Sequence, residues 1–77
     1  MKYIIGETLK NARKSAGFSV SDIVSFLQDN GIETSAKTIY GWESNFAYPS
    51  VHVFLLLCEK YKISDVVGTF LHNSVEK

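Results

Sequence analysis

The chain has 77 residues, of which 45% are hydrophobic, and its eight basic and eight acidic side chains leave no net charge. That length holds one domain with one small core, close to the ~70–80 residues below which folds need staples. A single cysteine, Cys58, excludes an internal disulfide, no Cys and His cluster has zinc spacing, and the longest apolar run, Val53 to Cys58, is far short of the ~20 residues of a membrane span. The stretch Tyr3 to Ile5 is also too short for a secretory segment. The expectation is a soluble, cytoplasmic, metal-free protein held by packing, with self-association as a further source of stability.

The elements read helical throughout, in one domain over 1–77 with its core over 6–71. Gly6 to Ala16 is the first helix, with Leu9, Ala12 and Ala16 at helical spacing and Gly17 placed as a left-handed stop. Ser19 and Asp22 have capping-box spacing, and Phe18 before them can staple onto Ile23. Val20, Ile23, Val24 and Leu27 share a face of the second helix, which stops at Asn30-Gly31. After a turn over Gly31 to Thr34, Ser35 caps a third helix that ends near Asn45. Its Ile39 and Trp42 face inward, leaving Lys37, Tyr40, Gly41 and Ser44 outward.

Pro49 and Ser50 open the fourth helix, Val51 to Tyr61, in which eight of eleven residues are apolar, more than one buried stripe needs. Ser64 caps a fifth helix, Asp65 to Leu71, and His72 to Lys77 are expected to fray. Charge is segregated along these elements. Lys2, Lys10, Arg13 and Lys14 fall in the first fourteen residues against Glu7 alone, and Asp22, Asp29 and Glu33 follow. This arrangement gives either a local positive face or an ordinary solvated helix surface.

Two short helices joined by a glycine turn and followed by further packing helices have the plan of a helix-turn-helix DNA reader. The ordered set Gly17-Phe18-Ser19 to Ile23, Gly31, Ser35 to Glu43, and Pro49-Ser50 resembles the Cro and phage-repressor type of helix-turn-helix domain, also called the XRE family. The resemblance covers residues 6–68 and implies an all-α, five-helix, lambda-repressor-like fold. Arg13, Gly17, Ser19, Ser35, Ile39 and Glu43 occupy the family's motif positions, and the resemblance makes Arg13 and Glu43 a structural ion pair between the first helix and the recognition helix.

The chain also departs from that pattern. About five extra residues lie between Ile23 and the Ser35 cap, so the second helix is longer or its turn wider. Val20 stands where the family usually has Gln, which removes a DNA contact. Asn45 stands where Gly is usual, which a left-handed cap tolerates.

What the resemblance implies about function is specific. Base-facing positions of the third helix map to Ala36, Lys37, Tyr40 and Gly41: Lys37 can donate to guanine, Ala36 can meet a thymine methyl, and Tyr40 can reach a base edge or phosphate. Phosphate contacts map to Ser19, Ser35, Ser44, Lys10 and Lys14. A helix-interior glycine costs about 1 kcal/mol, and at Gly41 close approach to the groove would account for it.

The surplus apolar residues point to a homodimer on a pseudo-palindromic site, with Phe46, Tyr48, Val53, Leu56, Phe70 and Leu71 as candidates for its interface. Isolated His52 and His72, a Cys58 within an apolar run, and the lack of a glycine-rich phosphate loop argue against an enzyme, a cofactor or a small-molecule ligand. The rival reading is a helix-turn-helix fold used as a protein-binding module, which net neutrality, the lost Gln and the aromatic Phe46 to Tyr48 loop would suit.

Overall fold

The computed structural model describes residues 5–72. Helix α1 spans Ile5–Ser15, α2 Val20–Asp29, α3 Ala36–Glu43 and α4 Val51–Lys60, and a short π-wound segment, α5, covers Gly68–His72. No strand occurs among the described residues. His72, placed by the sequence in a fraying tail, is the last residue of α5, and the rest of that tail, 73–77, lies outside the described residues.

Each start has a side chain that satisfies a backbone N–H the helix itself cannot. Ser19 Oγ accepts from the Asp22 N–H at 3.0 Å while Asp22 Oδ2 accepts from the Ser19 N–H at 2.8 Å, a complete capping box. Those hydrogen bonds hold the Asp22 carboxyl below its usual pKa. Ser35 and Ser50 cap α3 and α4 by the serine half of that arrangement alone, accepting from the Thr38 and Val53 N–H groups. At the fifth start the cap is Asp65 and not Ser64: its Oδ1 accepts from Gly68 N–H at 3.0 Å and its carbonyl from Thr69 N–H at 2.9 Å. Serine and aspartate cap about equally well, so the sequence could not choose between neighbours.

The first four helices end alike. A residue with left-handed φ, at Gly17, Gly31, Asn45 and Lys62, is followed by an apolar residue, respectively Phe18, Ile32, Phe46 and Ile63. The N–H of that residue reaches back to a carbonyl in the last turn at 2.8–3.1 Å. Phe18, Ile32 and Ile63 then pack against the core, whereas Phe46 is 88% exposed.

Helix α3 packs on both α1 and α2, and α1 also packs on α5. Leu9, Ile23, Leu27, Ile39 and Leu57 are the deepest side chains, so every helix from α1 to α4 contributes to the same core. Phe70 closes it from α5, with its ring edge-on to Phe54 at 4.8 Å between centroids. The Lys60 ammonium lies 4.7 Å from the Phe18 ring and 4.9 Å from the Phe26 ring, fastening the end of α4 to α2 and the turn before it.

Two of the expected interface residues are therefore internal. Val53 and Phe70 are buried in the core, and Leu56 is half-buried against it. The outward apolar residues of α4 are Val51 and Leu55. An apolar residue type on nearly every side of α4 gave the periodicity no contrast, so the sequence could not select the buried stripe.

Candidate nucleic-acid interface

The site is organised from inside by Arg13. Its Nε and Nη2 donate to Glu43 Oε2 and Oε1 at 2.8 and 3.0 Å, a bidentate pair joining α1 to the last residue of α3. Its Nη1 donates to the Phe18 carbonyl at 2.9 Å, so one guanidinium also holds the turn leading into α2. Both side chains are buried. The hydrogen bonds to Glu43 raise the Arg13 pKa above its ordinary value, against the opposing cost of burial. Because Glu43 neutralises it inside the protein, Arg13 adds no charge to the surface, and the basic cluster of the first fourteen residues is reduced to Lys10 and Lys14 among the described residues.

A second connection fixes the other end of α1. Asn45, at φ 63°, turns its side chain so that Oδ1 accepts from the Gly6 N–H at 2.8 Å. There α1 lies directly on the end of α3. A Cβ placed on Gly6 would come within 2.5 Å of the Trp42 carbonyl oxygen and 2.8 Å of that of Glu43, so only glycine fits. Sequence reasoning missed this contact. Gly6 reads as an ordinary helix-start residue, and nothing local signals a backbone neighbour 39 positions away.

With Ile39, Trp42 and Glu43 buried, the opposite face of this eight-residue helix carries the exposed Lys37 and the half-buried Gly41, flanked by the exposed Tyr40, and Ala36 is exposed in its first turn. A Cβ at Gly41 would meet nothing within 4 Å, so packing does not demand glycine there. Tyr40 and Ser44 line a shallow groove of about 250 Å³ with Lys10 and the edge of Glu43, which brings residues of α1 and α3 together on the outer surface. Lys14 is exposed in the last turn of α1, where a cation also favours the helix dipole.

The serines differ in what they have left to offer. Ser19 and Ser35 accept from backbone N–H groups through their oxygens, and Ser35 also shares a hydrogen bond with the Thr38 hydroxyl at 3.2 Å. Ser44 donates its one proton to the carbonyls of Tyr40 at 2.9 Å and Gly41 at 3.3 Å. In this arrangement the Ser44 hydroxyl serves the carbonyls at the end of α3. Of the apolar candidates outside α4, Phe46, Tyr48 and Leu71 are exposed.

Cys58 is buried, and burial pushes its thiol pKa up, the opposite of an activated thiolate. Among the described residues no group of three or more His, Cys, Asp and Glu side chains is placed to hold a metal ion, and no helix is long and apolar enough to cross a membrane. No protein-family model matches the chain, and neither a curated protein nor a solved structure is significantly similar to it.

Proposed function

We propose that this protein is a double-stranded DNA-binding transcriptional regulator of the Cro and phage-repressor type. In this reading its fold is lambda-repressor-like, α3 lies in the major groove, and two copies act on a pseudo-palindromic site with their recognition helices about 34 Å apart. The observation that carries it is the division of α3. One face is clamped to α1 by a buried bidentate ion pair and a glycine contact, while the other offers a cation, a phenol and a bare backbone at Lys37, Tyr40 and Gly41. Lys37 would read guanine, Ala36 a thymine methyl and Tyr40 a base edge, with Lys10, Lys14, Ser19 and Ser35 on phosphates.

The test is the anisotropy of a fluorescent duplex titrated with protein at several salt concentrations. A DNA binder loses affinity log-linearly, with a slope of about −0.9 per phosphate neutralised, and Lys10→Ala should lower that slope by about one contact. Neither effect is expected of the second reading, a protein-binding module, which the exposed Phe46 and Tyr48 favour. Absence of salt-dependent binding to any duplex would decide for that module.

A further inference from the structure

The residues that separate this chain from the compact helix-turn-helix spacing have a definite place in the fold. Helix α2 runs on to Asp29, Gly31 turns the chain at φ 79°, and the Ile32 N–H donates to the Leu27 carbonyl at 2.9 Å while Ile32 packs on the core. With Ile32 anchored, Glu33, Thr34 and Ser35 lead directly to the start of α3. Together with Gln28 and Thr38 they line an open pocket of about 410 Å³ between α2 and that start.

Around α3, at ~100° per residue, the outward positions follow in the order Tyr40, Lys37, Gly41, Thr38. The strip of Lys37 and Gly41 therefore has a border on each side. On one, Tyr40 joins Lys10 and Ser44 in the shallow groove towards α1; on the other, Thr38 joins Gln28 and Glu33 towards α2. The borders differ in charge. The first carries the cation Lys10, and its one carboxylate, Glu43, is paired with Arg13. The second carries no cation, and no side chain of the described residues pairs with the exposed Glu33 carboxylate. In the same wall the Thr34 hydroxyl is buried without a hydrogen-bond partner, the one such side-chain group among the described residues.

A free carboxylate beside a helix that enters a major groove has few partners there. It only accepts hydrogen bonds, and the phosphate backbone is itself negative, so the two repel. The groove floor does supply donors, and the one that matches a carboxylate is the N4 amino group of cytosine. We propose that Glu33 determines specificity, its carboxylate accepting from a cytosine N4 amino group in a base pair beside the one that Lys37 reads. This role rests on the DNA reading proposed above. It adds a base reader outside α3, supplied by the extended turn, and divides the work between the borders, with phosphate contacts towards α1 and a base contact towards α2. The plainer role of Glu33, an acid near the positive end of the α3 dipole, predicts a small drop in melting temperature on its removal and no change in the sequence bound.

Selection from a random duplex pool by wild type, Lys37→Ala and Glu33→Ala, followed by anisotropy titrations of the selected duplexes, separates these roles. Glu33 is exposed, so thermal melts should show the fold of Glu33→Ala retained. The wild-type motif should hold in each half-site a C·G pair, distinct from the pair that Lys37→Ala relaxes, that Glu33→Ala relaxes. Changing that pair to T·A in one half-site should weaken wild type roughly tenfold and Glu33→Ala hardly at all. A motif that Glu33→Ala leaves unchanged, relaxation at an A·T pair instead, or uniformly tighter binding of every duplex by Glu33→Ala, the mark of simple repulsion, would overturn this role and leave the DNA reading standing. A wild type that enriches no motif would overturn both.

Discussion

Gly6 and Gly41 lie on helices that pack against each other, and each lacks a side chain for a reason the other does not share. At Gly6 a Cβ would run into the backbone of Trp42 and Glu43, so the glycine is explained inside the molecule. At Gly41 a Cβ would stand in open space, so a residue that weakens its own helix by about 1 kcal/mol has no internal reason to be there. The same contrast runs along all of α3. Its inner face is determined by neighbours within the chain, while its outer face is left to the partner that the proposed function supplies.

The largest effect expected from breaking the inner face is at the ion pair. Arg13→Ala leaves Glu43 buried without its partner and frees the Phe18 carbonyl, so chemical denaturation should show a loss of about 3–5 kcal/mol. A loss below about 1 kcal/mol would mean that the pair is solvated and that α3 is held by packing alone. Gly6→Ala comes next. It forces the end of α1 away from α3 and should cost about 3 kcal/mol despite alanine's better helix propensity, because the obstructing atoms are backbone and cannot rotate aside.

Gly41→Ala should have the opposite sign, raising stability by about 1 kcal/mol while weakening duplex binding. Greater stability with unchanged duplex affinity would remove close approach as the explanation of this glycine. The smallest effect belongs to the alkaline limb. Burial, and then the nearby Glu43 charge, push the Tyr61 phenol pKa well up, and burial does the same to the Cys58 thiol.

The folded protein therefore keeps protons that the unfolded chain gives up, to a first approximation from pH ~8.5 for the thiol and ~10 for the phenol. Stability should be level near neutral pH and fall as pH rises past those values. In melts from pH 7 to 11, Tyr61→Phe should flatten the upper part of that fall, and an unchanged slope would place the phenol in contact with water.

Local chemistry made much of the backbone legible. Ser19 with Asp22, Ser35, Ser50, Gly17, Gly31 and Asn45 mark starts and stops that the structure keeps within a residue or two, because caps and left-handed turns act over three or four positions. Lys62 escaped notice because lysine carries no signal for a positive φ, and only the packing of Ile63 after it reveals the turn. The pairing of Arg13 with Glu43 was suggested by motif positions alone, since no rule of spacing links residues 30 apart. The Gly6 and Asn45 contact, the carbonyl of Phe18 and the burial of Val53 and Phe70 depend on how helices meet in space, which periodicity along one helix does not contain.

The central claim is that the outer face of α3 reads DNA, and selection of bound sequences from a random duplex pool by wild type and Lys37→Ala tests it most directly. A base-reading Lys37 predicts a two-fold symmetric motif for the wild type, and for Lys37→Ala the same motif with one position in each half-site relaxed. No enriched motif, or a motif identical in both proteins, would contradict it.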